Sequence, residues 1–129
     1  MKRFKRQPEA AALSREEALN CVPVKSRHIH EERMPSGDAL IAYPQQLRPL
    51  PRFLLRRLGK KPPAMPPRKL QLDNLGTDVW NLIDDRRSVR RIVKRFAEIH
   101  RLPRREAELS VTRFLRELGK RGLVAMKRT

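Results

Sequence analysis

The sequence predicts an α+β fold, with three helices in its C-terminal half and a small antiparallel β-sheet before them, and three observations carry that reading. Apolar residues recur at helical spacing in three consecutive stretches after Asp73; each stretch opens on a capping residue or a proline; and the turn signal Pro35-Ser36-Gly37-Asp38 separates two short runs in the manner of a hairpin. Three helices of roughly 11–18 residues on short turns beside such a sheet form the winged helix-turn-helix pattern.

Taken in order, residues 1–13 are basic and then alanine-rich, without an amphipathic pattern, and are expected to form an arm. Ser14 and Glu17 have the spacing of a capping box, in which the hydroxyl accepts from the backbone at Glu17 and the carboxylate reaches back. They predict a short helix over 15–20, ended by Pro23. His28 to Met34 and Ala39 to Tyr43 are the two arms of the hairpin, the first of them polar and therefore expected to be half exposed, so that 14–43 reads as a short helix plus a hairpin. Residues 44–67 hold seven of the eleven prolines, and 45–69 carry eight Lys or Arg without an acid, which marks a basic insertion. Within it, Pro51 to Gly59 has the length of two helical turns.

The organised segment is predicted to run from 68 to 126. Lys69 to Leu72 alternates polar and apolar as a third strand, and Asp73 is placed to cap the first helix. That helix spans 74–84, with Leu75, Val79, Leu82 and Ile83 on its core face. Ser88 caps the second, whose Val89, Ile92, Val93 and Phe96 line one side while Arg90, Arg91, Lys94 and Arg95 line the other. Pro103 opens the third, with Ala107, Val111, Phe114, Leu115 and Leu118 facing inward. Gly122 is expected in the left-handed conformation that sets Leu118 against Leu123, and Leu123 to Met126 reads as a last strand.

Thirty-one Lys and Arg against fourteen Asp and Glu leave a net charge of +17, so the expected partners are anionic: an acidic peptide, nucleic acid or an anionic membrane surface. The single cysteine, Cys21, cannot form an internal disulfide, which makes a cytoplasmic setting the expectation. No apolar run has the length of a signal sequence or a membrane span. Cys21, His28, His30 and His100 are the soft metal ligands in the chain, and their spacing matches none of the usual zinc patterns. The motifs of phosphate loops, nucleophile elbows and paired catalytic carboxylates are absent, and Asp84-Asp85 is read as a helix-ending turn. The expectation is a protein that is not an enzyme and needs neither cofactor nor metal.

Leu72, Gly76, the Val79-Trp80 pair and Asp84, followed by Ser88-Val89, Ile92-Val93, Glu106-Ala107, Phe114-Leu115 and Gly122-Leu123, together resemble the PqqD family, that of the pyrroloquinoline quinone biosynthesis protein D and its relatives. The resemblance covers residues 70–126, with the hairpin at 28–43 as a looser N-terminal counterpart. It implies a winged-helix peptide recognition element that binds the leader segment of a ribosomally made precursor peptide. The element presents that leader to a modifying enzyme, often of the radical S-adenosylmethionine type. The leader would add as an extra strand beside Arg68, Lys69, Leu70, Gln71 and Leu72 and lie against the third helix, Pro103 to Lys120. The chain departs from the family's pattern in the length of 44–67, in its charged arm, and in carrying Asp85 where a glycine is usual.

Independently of that resemblance, the third helix places Leu109 opposite its core face, ringed by Arg105, Arg113, Arg116 and Lys120 with Thr112 at the edge. Such a face suits an amphipathic acidic strand, main-chain pairing along 68–72 supplying hydrogen bonds. Isolated exposed leucines and solvated cationic faces are also ordinary features of surfaces. Trp80 has two readings, an aromatic platform or a ring packed on the adjacent sheet, and packing is favoured. The rival function is nucleic-acid binding through Arg104, Arg105, Arg113 and Arg116 of the third helix, against which stand Glu106, Glu108 and Glu117. A second rival is a membrane-surface role for Arg52 to Leu58.

Overall fold

The computed structural model describes residues 13–44 and 66–128; residues 1–12 of the predicted arm, the helical turns at 51–59 and the basic piece Arg52 to Leu58 lie outside them. Among the described residues the elements run α1 (Arg15–Asn20), β1 (Val22–Lys25), β2 (His30–Arg33), β3 (Ala39–Tyr43), β4 (Arg68–Gln71), α2 (Asn74–Leu82), α3 (Val89–His100), α4 (Arg104–Lys120) and β5 (Val124–Lys127). The class is α+β. The chain divides into two compact units, one made of Met1–Ser26 with Asn74–Thr129 and the other of Arg27–Asp73.

The first unit contains the four described helices, of which α2, α3 and α4 are the long ones. Val89, Ile92, Val93 and Phe96 of α3 are buried, as are Ala107, Val111, Leu115 and Leu118 of α4, and these two stripes pack on one another. Each helix end follows from local chemistry. The Ser88 hydroxyl accepts from the Arg91 N–H at 3.2 Å and satisfies one of the donors that the start of α3 leaves unpaired. At the end of α4, Gly122 sits at φ +76°, the Leu123 N–H donates to the Leu118 carbonyl at 3.0 Å, and the Gly122 N–H donates to that of Gly119 at 3.0 Å. That pair of bonds is the Schellman arrangement, and Leu118 and Leu123 are both buried. Pro103 occupies the N-cap position rather than the first helical turn.

Two inward positions differ from the periodicity. Leu75 is 47% exposed, and the buried face of α2 is instead Gly76, Thr77, Val79, Trp80 and Leu82. The helix is rotated so that Trp80, rather than Leu75, points inward, because the largest apolar side chain gains most from burial. Phe114 is only half-buried, at the margin of the α4 stripe. Trp80 is fully buried with the Lys25 Nζ 4.3 Å from its ring centroid, so it packs and offers no platform. His100 Nε2 lies 2.8 Å from Asp78 Oδ2 and ties the end of α3 to α2, its ring tilted against Phe96 at 4.6 Å.

Strand β1 does not follow from the sequence argument, which ends α1 at Pro23 and starts no strand there. Val22 to Lys25 pairs antiparallel with β5, in the register Val22 with Lys127 and Lys25 with Val124. The proline is tolerated because its nitrogen faces away from β5: the Ser26 N–H donates to the Leu123 carbonyl, which places residues 22, 24 and 26 toward β5 and residues 21, 23 and 25 on the outer edge. α1 itself starts on the predicted capping box, the Glu17 N–H bonded to Ser14 Oγ at 3.1 Å and the Ser14 N–H to Glu17 Oε1 at 3.0 Å.

The second unit is a three-stranded sheet in the order β2-β3-β4. The Gly37 N–H donates to the Met34 carbonyl at 2.8 Å and the Met34 N–H to the Asp38 carbonyl at 2.9 Å, with Gly37 at φ +93°. This turn needs a residue free to adopt positive φ, which the glycine supplies. Ala39, Ile41 and Tyr43 alternate as the buried residues of β3, and β2 is exposed throughout.

Candidate functional site

Sequence reasoning names two sets of residues, and each falls wholly in one unit: Arg68 to Leu72 in the sheet unit, and Arg105, Leu109, Thr112, Arg113, Arg116 and Lys120 in the helical unit. β4 covers Arg68–Gln71, with Leu72 just beyond the strand. Among the described residues it is an edge strand, bonded to β3 on one side. The register pairs Ile41 with Leu70 and Tyr43 with Arg68, and the Leu72 N–H donates to the Ala39 carbonyl at 2.9 Å. In an antiparallel ladder hydrogen-bonded pairs alternate, so Arg68, Leu70 and Leu72 spend their main-chain groups on β3. Those of Lys69 and Gln71 are therefore turned outward along the open edge. Side-chain direction alternates too: Leu70 and Leu72 lie on the face of the buried β3 residues, Lys69 and Gln71 on the other.

β2 is the opposite edge of the same sheet, and its sequence, His30-Glu31-Glu32-Arg33, contains two carboxylates. β4 contains none, and begins with Arg68 and Lys69. An incoming anionic strand is repelled at β2 and attracted at β4.

In the helical unit, Leu109 is 53% exposed on the outward side of α4, and Arg105, Arg113 and Arg116 are exposed around it. None of these three arginines has an ion pair among the described residues. Lys120 pairs with Glu117 at 3.5 Å in full solvent, which leaves its charge only weakly compensated. The Thr112 hydroxyl donates to the Glu108 carbonyl at 2.7 Å, so it can still act as an acceptor but not as a strong donor.

One contact on this helix escapes sequence reasoning. Arg15 of α1 grips Glu108 with two bonds of 2.7 Å, from Nε and from a terminal nitrogen, while Arg90 of α3 reaches Glu16 at 2.6 Å. The bidentate guanidinium holds the Glu108 carboxyl below its ordinary range. Glu108, counted against an anion-binding face in the sequence, is thus neutralised within the fold and α1 is fastened onto α4. The nearest signal was the mixed charge of Arg15-Glu16-Glu17, which does not name its partners 74 and 93 residues away.

Asp84 acts as the turn former expected of it. Its Oδ1 accepts from the Arg86 and Arg87 N–H groups at 3.0 and 2.7 Å, and these bonds, that of Arg87 first, lower its pKa. Asp85 stands at φ +65°, the left-handed region that explains why a glycine suits this position, and its Oδ1 accepts from the Lys25 N–H at 3.1 Å. Cys21 is buried, and among the described residues no group of three or more His, Cys, Asp or Glu is arranged to hold a metal ion. No described helix is long and apolar enough to cross a membrane.

A protein-family model described as coenzyme PQQ synthesis protein D (PqqD) matches residues 64–124. No curated protein and no solved structure matches the chain. The matched span begins just before β4, includes α2, α3 and α4 and ends at the start of β5, so it contains every residue of both candidate surfaces.

Proposed function

Since the chain belongs to the PqqD family over residues 64–124, we propose that it is a winged-helix peptide-binding protein that takes up the leader segment of a ribosomally made precursor and presents it to a modifying enzyme. It does so without chemistry of its own, the partner enzyme being of the radical S-adenosylmethionine class or another peptide modifier. The observation that carries this reading is the open edge of β4. Two outward N–H and two outward C=O groups, on Lys69 and Gln71, form a ready template for strand addition, and strand addition is how a folded sheet captures an extended peptide. The cations along that edge, and separately the Leu109 face of α4, each suit a segment in which acidic and apolar side chains alternate.

The test is a titration of a labelled, extended acidic peptide with an apolar residue at every second position, followed by fluorescence anisotropy. Gln71→Pro removes an outward donor and puts a ring where the incoming strand must lie, so binding should weaken by about tenfold or more, while the sheet keeps its own bonds to β3. Leu70→Pro removes an inward bond instead and should unfold the strand, which circular dichroism and amide exchange would report. Leu109→Asp, at an exposed position, should weaken the same peptide several-fold with the fold intact. Saturable binding that survives Gln71→Pro unchanged, or no peptide response at all, would overturn the reading.

A further inference from the structure

The outward side of α3 carries a charge arrangement that the peptide-binding reading does not use. Arg87, Arg91, Lys94 and Arg95 line a shallow groove together with Glu98. Arg91, Arg95 and Glu98 stand four and three residues apart on α3, which turns them to one side, with Lys94 on the flank and Arg87 just before the Ser88 cap. Arg95 is 3.4 Å from Glu98. Arg87 donates to the Leu82 carbonyl at 3.2 Å and lies 3.6 Å from Asp84. Arg91 and Lys94 have no side-chain ion pair among the described residues, so the row keeps a clear positive excess. The other side of the helix is locked into the core through Val89, Ile92, Val93 and Phe96, so the row is presented on a rigid support.

The chemistry of the lining selects the partner. Among the described residues no apolar side chain lines the groove, and the exposed Ile99, one turn beyond Arg95, lies outside it. A lipid surface is held by apolar residues inserted below the headgroups, and a protein interface centres on buried aromatic or apolar anchors and is poor in lysine. A phosphate backbone asks for neither; it asks for cations in a row. Within α3, Arg91 to Arg95 spans about 6 Å at the helical rise, the length over which one strand of a duplex sets about two phosphates, and Arg87 extends the row just before the Ser88 cap. We propose that this face of α3 is a sequence-independent binding site for the phosphate backbone of duplex nucleic acid, separate from the surfaces assigned to the peptide and not dependent on that assignment.

The experiment uses the full chain and a labelled random duplex of about 20 base pairs of DNA, titrated by anisotropy at several salt concentrations between about 50 and 200 mM. The double variant Arg91→Ala/Lys94→Ala should weaken duplex binding and lower the slope of log affinity against log salt by about 2, one for each phosphate that is no longer neutralised. It should leave binding of the acidic peptide unchanged. Arg113→Ala/Arg116→Ala removes the same charge from α4, and should cost the duplex much less while weakening the peptide. Three results would each overturn the proposal: an α3 double variant with wild-type duplex affinity and slope, equal duplex losses for the two double variants, or a wild-type chain that ignores the duplex and binds vesicles of anionic lipid or an acidic protein in its place.

Discussion

The two small sheets of this chain treat their outer edges in opposite ways. Along the free side of β1 every main-chain donor has been dealt with: the Cys21 N–H donates to the Ala18 carbonyl at 3.2 Å, Pro23 has no N–H to offer, and the Lys25 N–H is taken by Asp85, while the Cys21 carbonyl accepts from the Val89 N–H at 2.9 Å. Along the other side of β4, Lys69 and Gln71 have no main-chain partner among the described residues. An unprotected strand edge invites pairing with any extended chain, so folded proteins normally close it. That the donors are covered on one sheet and left open on the other, where the side chains are cationic as well, is what separates a structural edge from a receptive one.

The largest effect expected from breaking this contrast comes from the closed side. Trp80→Ala removes a fully buried ring and should cost about 3–5 kcal/mol of stability, measured by urea denaturation. Because Lys25 of β1 sits over that ring, amide exchange along β1 and β5 should rise in the same variant. A loss below about 1 kcal/mol would show that the ring does not anchor the closed edge.

A finer comparison lies at Asp85. Asp85→Ala and Asp85→Gly both delete the acceptor that covers the Lys25 N–H, but only alanine must bear a side chain at φ +65°. Alanine should therefore be less stable than glycine by about 1–2 kcal/mol. Equal stabilities would mean that the turn relaxes out of the left-handed region.

The smallest effect is in pH. The carboxyl of Asp84 is lowered by the Arg87 and Arg86 N–H groups, and that of Glu17 by its bonds to Ser14, backbone first. A carboxylate with a depressed folded-state pKa stabilises the protein in full above the unfolded value, near about 4, and the contribution is lost as pH falls through the folded value. Wild type should exceed Asp84→Asn in stability at about pH 6, with the gap closing below about pH 4. A gap that widened on acidification would contradict the hydrogen-bonded turn.

The helices were readable because their determinants are local. Ser14, Ser88 and Gly122 act within three or four residues of themselves, and the stripes of α3 and α4 repeat at the period of the helix. The hairpin was readable for the same reason, its turn lying in Met34 to Asp38. β1 was hidden because its partner stands about a hundred residues downstream and because Pro23 reads as a terminator unless one knows which way its nitrogen faces. The rotation of α2 was hidden because apolar periodicity ranks Leu75 and Trp80 alike, whereas volume decides between them. Near the candidate site the sequence located the strand, which ends at Gln71 rather than Leu72, and the exposure of Leu109. That Lys69 and Gln71, and not their neighbours, hold the outward groups depends on the register with β3.

Cys21 is sealed in the helical unit, its sulfur 3.3 Å from the Glu17 carbonyl oxygen, where reagents do not reach it. The native chain is consequently expected to resist maleimide labelling until it unfolds. A cysteine introduced at Lys69 would be the single reactive handle in the protein, ready to carry a fluorophore or spin label to the strand border without any native residue being replaced first.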